Sequence, residues 1–384
     1  LKPFGQTLAI GGRPDAGMPG REPPRGAGAD DGDRDDGDDC HVAVASRSLR
    51  DDFSEFQGEY PMLRFHEPRD EVDWAYFQGG PPGEPHPLVF LHGTSGTAGA
   101  FFFQVRALAR KGYRVVSVQY PAYGSPEEWC KGFDLFLDAL RCKSVHILGA
   151  GLGGFLAQHY AARYAHRVSS LALCNSFATT HAFAARAGGL TSVVQLFPSP
   201  LLSPLLRQMV LDAFPQGGGM DLATKQAVDW MALQVSDLCG SDLASRILLN
   251  CTPSSAGPLS LDAARMTLLE SSGETMVPEE LRLQLRGLYP GARLAQLKAS
   301  GDFPFLSRPE EVALFLEVHM RSAGVFAGNG PALVAPSMPL AGDGIDAGLA
   351  GLHAGWGADH GTARSEPSPR RPAWKNPFED DPLL

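Results

Sequence analysis

Residues 144–165 constrain this 384-residue chain more tightly than any other stretch. A strand-like SVHI (144–147) runs through the glycines of ILGAGLGGF (147–155) into FLAQHYAARYA, a good helix (155–165). A strand that turns into a helix over so few residues is the repeating unit of a parallel sheet with helices packed on it. The rest of the chain repeats the pattern. Strands are predicted at PLVFLHG (87–93), YRVVSVQY (113–120), SVHILGA (144–150), VSSLALCNSF (168–177), RMTLLES (265–271) and ARLAQLKA (292–299). Helices are predicted between them, near 99–111, 126–141, 152–166, 278–289 and 308–320. The strands are almost continuously apolar, as burial on both faces demands.

Segments 53–66 and 72–78 are expected to form an antiparallel lead-in pair. The interval 178–262 has no strand pattern and several helical ones, such as TKQAVDWMALQVSDL, and is expected to be a helical cap inserted after the fourth of these strands. The domain therefore spans 51–321. Flanking it, 1–50 is rich in Gly, Pro and Arg and 322–384 in Gly, Ala and Pro, and both read as disordered tails. The aspartate run GADDGDRDDGDD (28–39) resembles a calcium loop in composition only, since no closing Glu and no flanking helices accompany it.

Composition narrows the partners. A formal charge of −10 offers no basic face to nucleic acid. No apolar run reaches the roughly 20 residues of a membrane helix, and the first residues lack the basic-then-apolar pattern of a secretory leader. The six cysteines form no C-x-x-C pair and no zinc-like spacing with histidine. They read as reduced thiols in a cytosolic protein that needs no metal or cofactor.

Gly149, Gly151 and Gly154 satisfy G-x-G-x-x-G, the dinucleotide fingerprint. That motif also wants an acid about 20 residues on, at the end of the next strand, to hold the ribose. Here that strand ends in LALCNSF, and no Asp or Glu occurs from Phe155 to Leu211. The motif also follows two strand–helix units instead of opening the fold. The dinucleotide reading fails on both counts.

The same turn fits a nucleophile elbow, G-x-S-x-G, which needs small residues at its flanks because the backbone there is strained and closely packed. His92-Gly93-Thr94-Ser95-Gly96 follows the earlier strand, where an α/β-hydrolase places a loop supplying one oxyanion-hole amide; Leu152, after the elbow, is placed to supply another. GDFPFLSRPEEVALFL (301–316) looks like the segment that carries the triad histidine. Yet the elbow position is Gly151, which has no nucleophile, and the histidine position is Asp302, a poorer proton acceptor than imidazole. The acid position, counted back from Val277-Pro278, is Glu274, left with no histidine to orient. Losing a triad member typically costs several orders of magnitude in rate. His146, His159 and His319 read as packed or surface histidines, and Ser95, Cys174 and Ser176 have no histidine placed to activate them. The degenerate triad is Gly151, Glu274 and Asp302; the pocket residues are His92, Gly93, Thr94 and Leu152.

GYRVVSVQYPAY (112–123), ILGAGLGGFLAQ (147–158), LALCNSF (171–177), DLASRILLNC (242–251) and LYPGARLAQLKASGDFPFL (288–306) together resemble the maspardins, a family within the α/β-hydrolase superfamily. The resemblance runs through 51–321, cap included. It implies the α/β-hydrolase fold, a mostly parallel sheet with helices on both faces, and a non-enzymatic role. It also implies a cytosolic protein associated with endosomes or the trans-Golgi, acting as an adaptor in trafficking, whose protein partners include the cytoplasmic tail of a T-cell co-receptor. Maspardins keep a serine at the elbow, so Gly151 departs from their pattern. The alternative is a weak esterase, or a binder of small hydrophobic ligands, using the pocket under the cap. Outside the resemblance, Asn376-Pro377-Phe378 in AWKNPFEDDPLL (373–384) has the form that EH domains accept, an Asn-Pro turn presenting Phe. Glu379 with Leu383-Leu384 fits the acidic dileucine pattern read by clathrin adaptors.

Overall fold

The computed structural model describes residues 48–67, 71–188, 199–214, 220–273, 275–298 and 300–326, with the backbone alone for 199–203. The tails expected at 1–50 and 322–384 lie outside the described residues except for their innermost positions, and the Asn376, Pro377, Phe378, Glu379, Leu383 and Leu384 motifs lie wholly outside.

Among the described residues, eight strands form one sheet: β1 (Leu63–Glu67), β2 (Val72–Gly79), β3 (Leu88–Leu91), β4 (Val115–Gln119), β5 (Val145–Ala150), β6 (Val168–Cys174), β7 (Met266–Ser271) and β8 (Arg293–Leu297). Their spatial order is β1-β2-β4-β3-β5-β6-β7-β8. β2 runs antiparallel to both β1 and β4, and every other pairing is parallel. The six strands predicted after residue 80 are all present, with their ends trimmed.

Alternation along each strand feeds two cores. Leu88 and Phe90 of β3 enter one, shared with α2 (Phe102–Arg110) and α11 (Pro309–Ser322). Val89 and Leu91 enter the other, shared with α3 (Pro126–Ala139), α4 (Leu152–Arg163) and α9 (Glu279–Leu288). Both faces of the sheet are therefore dry, which is why the strand sequences show no polar alternation. In the second core Trp74 stacks on Phe136, with ring centroids 4.9 Å apart, and Trp129 on Phe133 at 4.8 Å. Burying an aromatic side chain of this kind stabilises the fold by about 2–3 kcal/mol.

The lead-in pair needs correcting. Residues 53–59 belong to a helix, α1 (Leu49–Glu59), and only 63–67 form the strand that pairs with β2. The signals for the helix are Ser48, whose hydroxyl accepts from the Asp51 amide, and Asp51 and Asp52 in the first turn. Phe53 and Phe56, three apart, then lie on one side of α1 against Phe77 and Phe102.

The described residues of the interval 178–262 hold four helices, α5 (His181–Ala187), α6 (Ser199–Asp212), α7 (Leu222–Asp237) and α8 (Gly240–Cys251). Its two ends meet where Thr179 bridges Ser255. A short α10 (Pro304–Ser307) precedes α11. Among the described residues no helix is long and apolar enough to cross a membrane.

Candidate functional site

β3 has β4 on one side and β5 on the other, so the connections leaving β3 and β5 diverge and open a crevice at the carboxyl ends of these two strands. In open α/β sheets this is where ligands sit. Leu91 of β3 pairs with Gly149 of β5, which places the 92–97 loop beside the Gly151 turn.

The turn is held by its glycines, but not all of them serve the same purpose. A Cβ on Gly149 would fall on the Gly154 backbone, one on Gly153 on the carbonyls of Leu91 and His92, and one on Gly154 on the Ser176 side chain. These three let β5 and α4 pack. Gly151 differs: a Cβ there would approach only Gly93 Cα, at 3.9 Å, although its backbone has φ +49°. Space for a side chain exists at the elbow. The Gly151 amide donates to the Cys174 carbonyl at 3.0 Å, and Ser176 Oγ donates to the Gly151 carbonyl at 2.9 Å, which brace the strained turn.

His92, Gly93, Thr94, Gly151, Leu152 and Asp302 all line one cavity of about 140 Å³ between the sheet and the cap. The six pocket and elbow residues singled out from sequence are thus brought together, while Glu274 lies outside the described residues. The far wall is apolar and comes from the cap and α10, with Phe183, Met209, Met231 and Phe305 among its residues. Asn175, Met276 and these cap side chains were not identified from sequence. Which face of a cap helix meets the cavity depends on how the helices pack, and no spacing in the sequence marks it.

Asp302 is buried. Its Oδ1 accepts from the Met276 amide at 2.6 Å and its Oδ2 has no hydrogen-bond partner. Burial pushes its pKa up to about 6, against the opposing pull of the Met276 amide and the Arg282 guanidinium. It is therefore a better proton acceptor than the ordinary carboxylate the sequence suggested, though still largely ionised at pH 7. His92 is fully buried and stacked on Tyr120, with centroids 4.3 Å apart. Its Nδ1 lies 2.8 Å from the Gly93 carbonyl and so carries the donated proton, leaving Nε2 a buried acceptor without a partner. Burial, reinforced by the Arg246 guanidinium, holds this imidazole far below its usual range.

Arg246 of α8 is itself buried. It donates to the Gly96 carbonyl at 2.6 Å and to the Thr94 carbonyl at 3.3 Å, fastening the cap to the loop after β3. Thr97 adds a bond to Gln234 Oε1 of α7 at 2.8 Å. The remaining candidates are structural. Burial pushes the Cys174 thiol up to about 12, with the Asp302 charge adding to the effect. His159 packs its ring against Phe155. His146 and His319 both bond Ser170 Oγ, at 2.7 and 2.8 Å, near the starts of the strands, away from the crevice. Among the described residues no group of three His, Cys, Asp or Glu could hold a metal ion.

A profile of the alpha/beta hydrolase family matches residues 88–313. The chain is 38% identical over 291 residues to maspardin of Pongo abelii, covering 75% of this chain and 91% of that one. It is 37% identical over 290 residues to maspardin of Danio rerio, covering 75% and 90%. Among solved structures, a hydrolase from Pseudomonas aeruginosa superposes with a TM-score of 0.53 at 19% identity, over 69% of this chain and 99% of that one, a likeness of fold.

Proposed function

Because the chain belongs to the maspardins, within the α/β-hydrolase superfamily, we propose that it works as a catalytically inactive, protein-binding member of that fold. The observation that carries this reading is Gly151. The elbow keeps its geometry and its space, yet the position from which a nucleophile would attack bears no side chain. Asp302 on the neighbouring loop has no imidazole's capacity to pass a proton from nucleophile to leaving group. The fold is then retained as a platform for partners, and the family resemblance supports an adaptor role in the cytosol, at endosomal or trans-Golgi membranes. The cytoplasmic tail of a T-cell co-receptor is the partner that the resemblance supports. The Asn376-Pro377-Phe378 and Glu379–Leu384 motifs add EH-domain and clathrin adaptors.

Turnover of short acyl esters by the purified chain, beside Gly151→Ser, Asp302→His and the double variant, tests the reading. The expected result is no turnover by the parent above a heat-unfolded control. Saturable turnover by the parent overturns it. One observation favours a second reading, a weak hydrolase: burial raises Asp302, on the wall of the same cavity as Gly151, to a pKa of about 6, toward the range of a general base. That activity would vanish in Asp302→Asn.

A further inference from the structure

The cavity at Gly151 lies between the cap and the carboxyl ends of the strands, and its wall is built from both. Phe183, Val210, Met231 and Ile247 come from the four cap helices, and Leu152 and Phe305 from the sheet side. Its volume of about 140 Å³ is close to that at which an apolar protein cavity takes up benzene, which sets an occupant of roughly six to eight heavy atoms.

The polar residues on the wall do not make it a polar site. Asn175 spends its side-chain amide on Ser271 Oγ and the Gly301 carbonyl, and its side-chain oxygen accepts from the Ser271 amide. His92 Nδ1 is held by the Gly93 carbonyl and Asp302 Oδ1 by the Met276 amide. The other polar atoms of these two groups, His92 Nε2 and Asp302 Oδ2, are covered by packed protein, so a molecule in the cavity does not touch them. Thr94, Ser95 and Asn250 complete the polar part of the wall, and none of them ionises. Among the described residues no Lys, Arg or Glu lines the space.

An ionised ligand therefore loses its water on entry without meeting an uncommitted charge within reach, which is costly. A hydrocarbon gains free energy by leaving water, and the unbranched side chains of Met209, Met231 and Met276 on the wall can adjust to its shape. Because the wall comes from both sides, such an occupant touches the cap and the sheet at once. Opening the cap forfeits those contacts, so the ligand's affinity adds to the stability of the closed arrangement.

We infer that this cavity is a binding site for a small neutral hydrocarbon, and that its occupant holds the cap closed over the sheet. The inference goes beyond the inactive, protein-binding reading and does not depend on it.

Calorimetric titration of the full chain with toluene, benzylamine and benzoate, together with hydrogen exchange of the slow amides of α7 and α8, tests it. Toluene is expected to bind saturably and at least tenfold more tightly than the amine or the benzoate. With toluene at ten times its Kd, exchange at those cap amides should slow about tenfold. Val210→Phe should weaken toluene at least tenfold by filling the space, and Met231→Ala should shift the preference from toluene toward propylbenzene by enlarging it. Absence of saturable toluene binding by the parent chain overturns the inference. So do binding of the amine or benzoate within tenfold of toluene, cap exchange unchanged by saturating toluene, or a toluene affinity unaltered in folded Val210→Phe. Should a variant fail to fold, the parent chain's own ranking and exchange rates decide. Ester turnover measured on the same samples reports separately on the inactive-fold reading.

Discussion

At the scale of single residues, the glycines of the elbow divide into those that packing demands and one that it does not. Gly149, Gly153 and Gly154 stand where any Cβ meets backbone or a buried hydroxyl, so the strand–helix turn cannot close without them. Gly151 has positive φ but open surroundings, and an alanine there suffers backbone strain alone. Gly149→Ala is therefore expected to destabilise the chain by about 3 kcal/mol or more, through overpacking and backbone shift. Gly151→Ala should cost about 1–2 kcal/mol. Urea midpoints of the two variants give the comparison, and equal losses would refute the division. Asp302 and His92 tell a related story. Each has one polar atom fixed by local backbone and one buried without a partner.

At the scale of elements, the cap is tied to the crevice through few but specific contacts. Arg246 on α8 reaches the Thr94 and Gly96 carbonyls, with no ion-pair partner among the described residues, and Ser245 beside it bonds both the amide and the carbonyl of Tyr123. Removing a buried cation can itself be favourable. Here, however, removal leaves two loop carbonyls without their donor. Arg246→Met is expected to cost about 1–3 kcal/mol of stability, and to raise the rate at which a protease cuts the cap under native conditions. A native-state cleavage rate equal to the parent's would show that the cap is held by apolar packing instead. The same scale explains the misread segment at 53–66. Phe53, Phe56 and Phe65 allow a strand-like reading, yet Ser48 with two acids behind it starts a helix, and the phenylalanines then bury on one side of α1.

At the scale of the whole molecule, buried titratable groups at the two ends of the sheet set opposing responses to acid. His146 and His319 share Ser170, and His319 also bonds Thr267, so the four form one buried polar chain across β5, β6, β7 and α11. Burial lowers His146 to about 4 and His319 to about 3, in each case with the other positive groups nearby adding to it. The unfolded chain then binds more protons between pH 6.5 and 4, and stability falls as pH drops through that window. Asp302, raised to about 6, acts in the opposite sense: the folded state holds its proton between about pH 6 and 4, which favours folding there. His92 and His159 are lowered by burial as well, so four histidine shifts outweigh one carboxyl, and a net loss on the order of a few kcal/mol is expected between pH 7 and pH 4.5. His319→Gln should make that slope shallower in urea melts by removing one of its sources; a slope identical to the parent's would dismiss His319 as a contributor. The sequence by itself determined the six parallel strands, the elbow with its three obligatory glycines and the place of the cap, because each is written in local periodicity, apolar runs or steric need. Only the tertiary structure decided that the cap closes over the crevice with Phe183, Met209 and Met231 facing it, that Arg246 fastens the loop, and that Asp302 is buried enough to hold its proton near pH 6. Those properties depend on which surfaces meet across more than a hundred residues of chain, and burial is a property of the packed whole that no local pattern encodes.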